Sequence, residues 1–384
     1  MRSMRGPLYQ PLGLDLDDGV IRRRRLSGAS IGFACAATMI IAGSTAIALF
    51  GQPQPRMVDR FAVAASPEPA PTVVPASPAP VVREQLPVVI SGSDTAPPPR
   101  GGVGFRVEDP QSLRQNPSTA HMPDDALIED SAYGPLPARA PDGRRPYDVY
   151  AGAWSGKPGT RIAIVVGGLG ISQTGTLNAI GSLPPGVTFG FSPSGNSLDR
   201  WMQEARRSGH ELVLQVPLEP VGYPQVDPGE DTLTVDDAAA GDLSALHASL
   251  ATITNYVGIM NYMGGRFVAE PAAMEALIAE LGRRGLMFFD DASSLRSVAA
   301  DTAQLQSVPA AVSDLSIDRS QDPADIRSQL DTLERIARAE GTAIGFASAF
   351  DVSVATIAKW IGEARGRGIE IVPLSALAND PERR

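Results

Sequence analysis

Arg161-Ile-Ala-Ile-Val-Val166, followed at once by Gly167-Gly168-Leu169-Gly170, is the stretch from which the rest of the chain is read. Five successive apolar residues opening into a glycine turn have the pattern of a strand buried on both faces, which is the habit of parallel sheets. In such sheets ligands sit beyond the carboxyl ends of the strands, so the residues after Val166 stand where a site is built. Two glycines occupy that edge here, giving the backbone shape of a site without side chains to perform chemistry.

Working outward, apolar runs of strand length alternate with longer stretches of helical period, which predicts βα units and a largely parallel sheet. Strands are expected at Arg161–Val166, Val187–Phe191, Glu211–Val216, Tyr256–Asn261, Leu286–Phe289, Ala310–Leu315, Thr342–Gly345 and Glu370–Val372. A helix is expected from about Val235 to Thr252, opening with Thr234 and Asp237 in an acidic form of the capping box. Another spans Pro271–Arg284 and stops at Gly285, and Asp325–Glu340 and Val352–Arg367 each combine one apolar with one charged face. About 220 residues in this pattern make one domain with a sizeable core.

Several segments carry a resemblance to a known family. They are the strand before Gly167-Gly168-Leu169-Gly170, Ser208-Gly209-His210-Glu211 leading to Gln215-Val216-Pro217-Leu218-Glu219-Pro220, Gly258-Ile-Met-Asn261-Tyr262-Met263-Gly264, Phe288-Phe289-Asp290-Asp291, and Ile344-Gly345-Phe346. In this order they resemble the divergent polysaccharide deacetylases, a bacterial branch of the metal-dependent polysaccharide deacetylases. The resemblance covers about Arg161 to Leu377 and implies an α/β fold, a distorted (β/α) barrel, for residues 160–378. It also implies a divalent metal, with an aspartate pair where Gly167 and Gly168 stand and histidines at Gln215, Tyr262, Phe346 and Ser348. Of that pattern only Asp290 and the Pro217 to Pro220 turn with Glu219 remain, so no metal ligand set and no cofactor are expected.

Composition points the same way without the resemblance. The chain holds three histidines, His121, His210 and His247, and one cysteine, Cys35. Zinc and iron sites are usually built from imidazole, thiolate or several convergent carboxylates, and these residues lie in different settings. Gly-x-Ser-x-Gly occurs as Gly28-Ala29-Ser30-Ile31-Gly32, inside the charge-free segment rather than at a strand-to-helix turn, and no dinucleotide fingerprint or phosphate-binding loop is present. Net charge is −10 and no basic stripe exists, which argues against nucleic acid as a partner.

Asp290 and Glu219 are the candidate catalytic carboxylates, with Asp290 the stronger; as a pair they would suit acid-base cleavage of a glycoside, while capping or accepting loop hydrogen bonds is the alternative for either. Gln215, Asn261, Tyr262, Asp291 and Phe346 are the candidate lining of a ligand groove. Tyr262 and Phe346 would offer aromatic faces for a sugar ring, or would simply fill the vacated pocket.

The front of the chain is a separate object. Residues 1–26 end in Arg22-Arg23-Arg24-Arg25, and residues 27–50 contain no charge over a length sufficient to span a bilayer. An uncleaved anchor in the inner membrane is expected, arginines on the cytoplasmic side and the rest in the periplasm; a cleaved signal peptide is the alternative. Residues 51–159 are expected to form a Pro-rich disordered linker, since 20 of the 34 prolines lie between Pro53 and Pro158, and residues 379–384 a short tail. The expected role is glycan binding or scaffolding at the cell envelope, with peptidoglycan, another polysaccharide or an envelope protein as partner. The alternative is a carbohydrate hydrolase with an altered site.

Overall fold

The computed structural model describes residues 113–383. The expected anchor at 27–50 and the first part of the expected linker lie outside the described residues. Among the described residues no helix is long and apolar enough to cross a membrane.

The central element is a parallel sheet whose strands are β3 (Arg161–Leu169), β4 (Thr188–Phe191), β5 (Leu212–Leu218), β6 (Gly258–Met263), β7 (Met287–Asp290), β8 (Ala310–Val312), β9 (Leu315–Ser316), β10 (Thr342–Ser348) and β11 (Glu370–Ile371). They are hydrogen-bonded in the order β8-β7-β6-β5-β4-β3-β10-β9. Strand β11 pairs with the first two residues of β3, while β4 pairs with its second half, so β3 changes neighbour along its length. The apolar run Ala310–Leu315 is not one regular strand. Its first half pairs with β7 and its second half with β10, with Ser313 and Asp314 between them. Ser313 N–H donates to the Asp290 carbonyl and Asp314 N–H to that of Ile344, so one kinked segment serves both edges of the sheet. The result is a curved α/β sheet of the distorted-barrel kind expected.

Period-two alternation sorts side chains onto two faces of this sheet. Ala163, Val165, Val213, Met260, Phe289, Ala311 and Ile344 form an inner cluster. Ile162, Ile164, Val166, Leu212, Leu214, Val216, Ile259 and Phe288 face outward into a larger core covered by helices. The covering helices include Pro271–Arg284, Pro323–Glu340 and Asp351–Gly366, whose buried positions recur at three- and four-residue spacing. The single helix expected from Val235 to Thr252 is instead two, Val235–Ala239 and Ser244–Leu250, interrupted where Gly241 takes φ of 81°.

Residues 113–159, expected to belong to a disordered linker, are instead ordered. A two-stranded antiparallel sheet, β1 (Ile128–Ser131) with β2 (Gly134–Pro137), and a short helix, Pro146–Val149, precede the barrel. Leu127, Leu136, Tyr147, Val149 and Tyr150 are buried in its core clusters. This strap crosses the end of the barrel where the strands begin. Gly152 N–H donates to Glu211 just before β5 at 2.8 Å, and Tyr147 N–H to the Gly285 carbonyl just before β7. The buried Arg206 guanidinium donates to the carbonyls of Ala120, Tyr150 and His210. Arg145, itself buried, pairs with Asp148 at 2.7 Å, Asp380 at 2.6 Å and Glu382 at 2.9 Å, fastening the C-terminal residues to the same end. Prolines are compatible with this order because Pro146 opens a helix and Pro135 and Pro137 lie in a short two-stranded sheet with free edges.

Candidate functional site

At the opposite end, where the strands terminate, lies a cleft of about 580 Å³. Its floor and walls come from Gly167 and Gly168 of β3, Gln215 and Pro217 of β5, Asn261, Tyr262 and Met263 of β6, Asp291 after β7, and Phe346 and Ser348 of β10. All five residues expected to line a groove, Gln215, Asn261, Tyr262, Asp291 and Phe346, are therefore brought together. Alternation explains most of this, since Gln215, Asp291 and Phe346 continue the inward series of Val213, Phe289 and Ile344.

The two expected catalytic carboxylates are elsewhere, and this corrects the sequence reading. Asp290 follows Phe288 on the outward face and is 3% exposed. Its Oδ1 accepts from Ala292 N–H at 2.9 Å, and burial pushes its carboxyl above the ordinary carboxylate range. Glu219, also 3% exposed, accepts from Val235 N–H at 2.7 Å through one oxygen and pairs with Arg266 through the other. Neither lines the cleft. Glu219 ties the base of the 219–234 loop to the helix that follows it, with Leu218 bridging Leu233 beside it. That loop carries Pro228, Gly229 and Glu230 to the cleft wall.

Asn261 and Asp291 form a reciprocal pair deep in the wall. Asn261 Nδ2 donates to Asp291 Oδ1 at 2.8 Å, and Asp291 N–H donates back to Asn261 Oδ1 at 3.0 Å. Ser293 N–H adds a third bond to Asp291 Oδ1 at 2.8 Å. Asp291 Oδ2 has no hydrogen-bond partner among the described residues. Gln215, 5% exposed, accepts from Gly168 N–H at 2.5 Å, and its Nε2 likewise has no partner. The cleft thus presents one anchored acceptor and one anchored donor to whatever enters it.

Sequence reasoning passed over several lining residues. Ile171 and Phe350, both exposed, and Ser192, Ser194 and Ser293 stand in the loops after the strands, and the exposed Met263 ends β6. The rule that ligands bind beyond the carboxyl ends of parallel strands was the available signal, since each follows a strand directly or within a few residues.

The residues at the implied metal positions do not fit a metal. A Cβ on Gly167 would lie 2.8 Å from Gln215 Nε2 and 2.9 Å from Phe346 Cε2, so those side chains occupy the space an aspartate would need. Gly168 has open space but takes φ of 83° in a bulge of β3, a left-handed conformation that an aspartate enters only with strain. Phe346 offers no lone pair, and Gln215 spends its oxygen on Gly168. Of the three histidines, His210 donates through Nδ1–H to the Val187 carbonyl at the other end of the barrel and stacks on Phe189, and His247 binds Glu280. His121 lies in the strap, likewise away from the cleft lining.

Comparison with known proteins agrees with this architecture. A solved structure of an uncharacterised protein from Agrobacterium tumefaciens is 56% identical, with a TM-score of 0.62, and the match covers 64% of this chain and 99% of that one. An uncharacterised protein of Haemophilus influenzae is 25% identical over 185 residues, 48% of this chain and 65% of its own length, just under two thirds. The uncharacterised Escherichia coli protein YibQ is 23% identical over 222 residues, 58% of this chain and 68% of its own. The sequence profile of the divergent polysaccharide deacetylases matches residues 164–378, the whole barrel from β3 to the last turn. By that match the chain belongs to the divergent polysaccharide deacetylase family.

Proposed function

We propose that the protein binds an envelope glycan in this cleft and does not hydrolyse it, acting as a membrane-anchored, periplasmic member of its family in which recognition has outlived catalysis. The observation that carries the reading is the coexistence of an open cleft with a lost ligand set: Tyr262 and Phe346 present aromatic faces, Gln215 and Asp291 present unspent polar atoms, and none of the implied aspartate and histidine ligands stands at its position. Sugar sites combine ring faces for stacking with a few fixed donors and acceptors, and this lining has that composition. A hydrolase using Glu219 and Asp290 finds no support, because both carboxylates are committed outside the cleft.

The anchor at residues 27–50 and the arginines before it would hold the domain on the periplasmic side, within reach of peptidoglycan. Calorimetric titration of the full chain in detergent with N-acetylglucosamine oligomers, alongside an acetate-release assay with and without added divalent metal, tests the reading. Binding without acetate release is expected, with Phe346→Ala weakening it by roughly fivefold to tenfold if the ring stacks on the sugar. Metal-dependent acetate release, or no binding to neutral or amino-sugar oligomers, would overturn it.

A further inference from the structure

The charge of the cleft narrows its ligand further. Its lining contains two carboxylates, Asp291 and Glu230, and neither lysine nor arginine nor histidine. Glu230 stands exposed on the loop at the mouth, whereas Asp291 is half-buried and held by three hydrogen bonds that all converge on Oδ1 or on its backbone. The second oxygen of Asp291 is therefore fixed in place and unneutralised. Among the described residues no basic side chain lines the cleft to receive a carboxylate, sulfate or phosphate on a ligand, so an acidic sugar would meet repulsion there.

A second, independent feature points to a hydroxyl-bearing ligand. Gln215 is almost wholly buried and oriented by Gly168, and its Nε2 faces the cleft with no partner among the described residues. Because it opens on the cleft and its orientation is fixed by the Gly168 bond, this donor is available to a ligand oxygen. Around these two points stand Tyr262, Phe346 and Phe350. Aromatic faces attract cations as well as the apolar faces of sugar rings, and they repel anions.

Together these observations select among glycans by the group on the sugar ring. We infer that the cleft prefers a sugar carrying a free, protonated amine over its N-acetylated counterpart, with the ammonium group paired to Asp291, a ring hydroxyl accepting from Gln215 and the ring face against the aromatic side chains. This rests on the glycan-binding reading above and deepens it: the recognised unit is a glucosamine-type residue in a polymer, an amino sugar from which the acyl group has already been removed. A charge-assisted hydrogen bond is about twice as strong as a neutral one, which sets the size of the expected preference.

The test titrates the full chain with a glucosamine tetramer, an N-acetylglucosamine tetramer and a galacturonate tetramer at about pH 6, where an aliphatic amine is charged, and again at about pH 9, where a weakly basic one is largely neutral. The glucosamine tetramer is expected to bind roughly tenfold tighter than the acetylated one at the lower pH. That preference is expected to collapse at the higher pH, and galacturonate is expected not to bind. Asp291→Asn, which keeps an oxygen for Asn261 and Ser293, should bring the ratio between the two tetramers to about one. Equal affinities, or tighter binding of the acetylated tetramer, would overturn this inference while leaving the glycan-binding reading intact. Failure of all three oligomers to bind would overturn that reading and the inference with it.

Discussion

His210 makes the stability of this domain sensitive to mild acid, and the size of the effect follows from its setting. The ring is 1% exposed, stacked on Phe189 with centroids 4.0 Å apart, and bonded through Nδ1 to the Val187 carbonyl at 2.9 Å. Burial lowers its pKa from 6.5 to about 4. Between those values the unfolded chain binds a proton that the folded chain excludes, so stability rises with pH through this window and is lost as pH falls. The linkage relation gives a loss of about 2 kcal/mol by pH 5, approaching about 3 kcal/mol at pH 4, relative to neutral pH. Asp290 and Asp318, whose carboxyls burial raises, act in the opposite sense, since each stabilises the fold as it takes up its proton. A difference measurement removes them. Urea unfolding followed by circular dichroism at about half-unit pH steps, for the wild type and for His210→Gln, should show two curves that converge as pH falls from 7 to 4, because the glutamine has no proton to gain. Parallel curves would refute the assignment, as would an imidazole resonance for His210 that titrates near 6.5.

Three further outcomes follow from residues described above. Asp290→Asn should leave glycan affinity within about twofold and raise stability at neutral pH, since it removes a buried charge and keeps an acceptor for Ala292; calorimetry and denaturation read the two, and a large loss of binding would return Asp290 to the site. Gly167→Asp should cost about 1–3 kcal/mol by overpacking against Gln215 and Phe346, and less in a background carrying Gln215→Ala and Phe346→Ala, which thermal denaturation of the four variants checks as a coupling energy. Arg206→Met should cost about 2–4 kcal/mol and speed proteolytic cutting within residues 113–159, because three backbone carbonyls lose a charged donor; an unchanged cutting rate would show that the strap does not depend on Arg206.

Much of this architecture was legible because parallel strands buried on both faces leave apolar runs that are hard to mistake. The Pro271–Arg284 helix was read to the residue, as its proline start and Gly285 stop are local signals. Where neighbours changed without a local mark, reading failed. Ala310–Leu315 is a continuous apolar stretch, yet Ser313 and Asp314 hand the chain from one sheet edge to the other, a tertiary event that the run does not encode. Proline density concealed the strap, because the count does not distinguish a proline in a disordered stretch from one at the first turn of a helix. Asp290 was favoured over Asp291 by position in the family pattern, although the alternation beginning at Phe288 already assigned the first to the outer face and the second to the inner. The five groove residues share one cleft because all of them come at or just after strand ends.

The strap and the C-terminal residues are fastened at the end of the barrel where strands begin, and the cleft opens where they finish. Both attachments of the domain to the rest of a chain, or to anything fused there, thus lie behind the recognition surface. A bead attached ahead of residue 113 should therefore leave the cleft accessible.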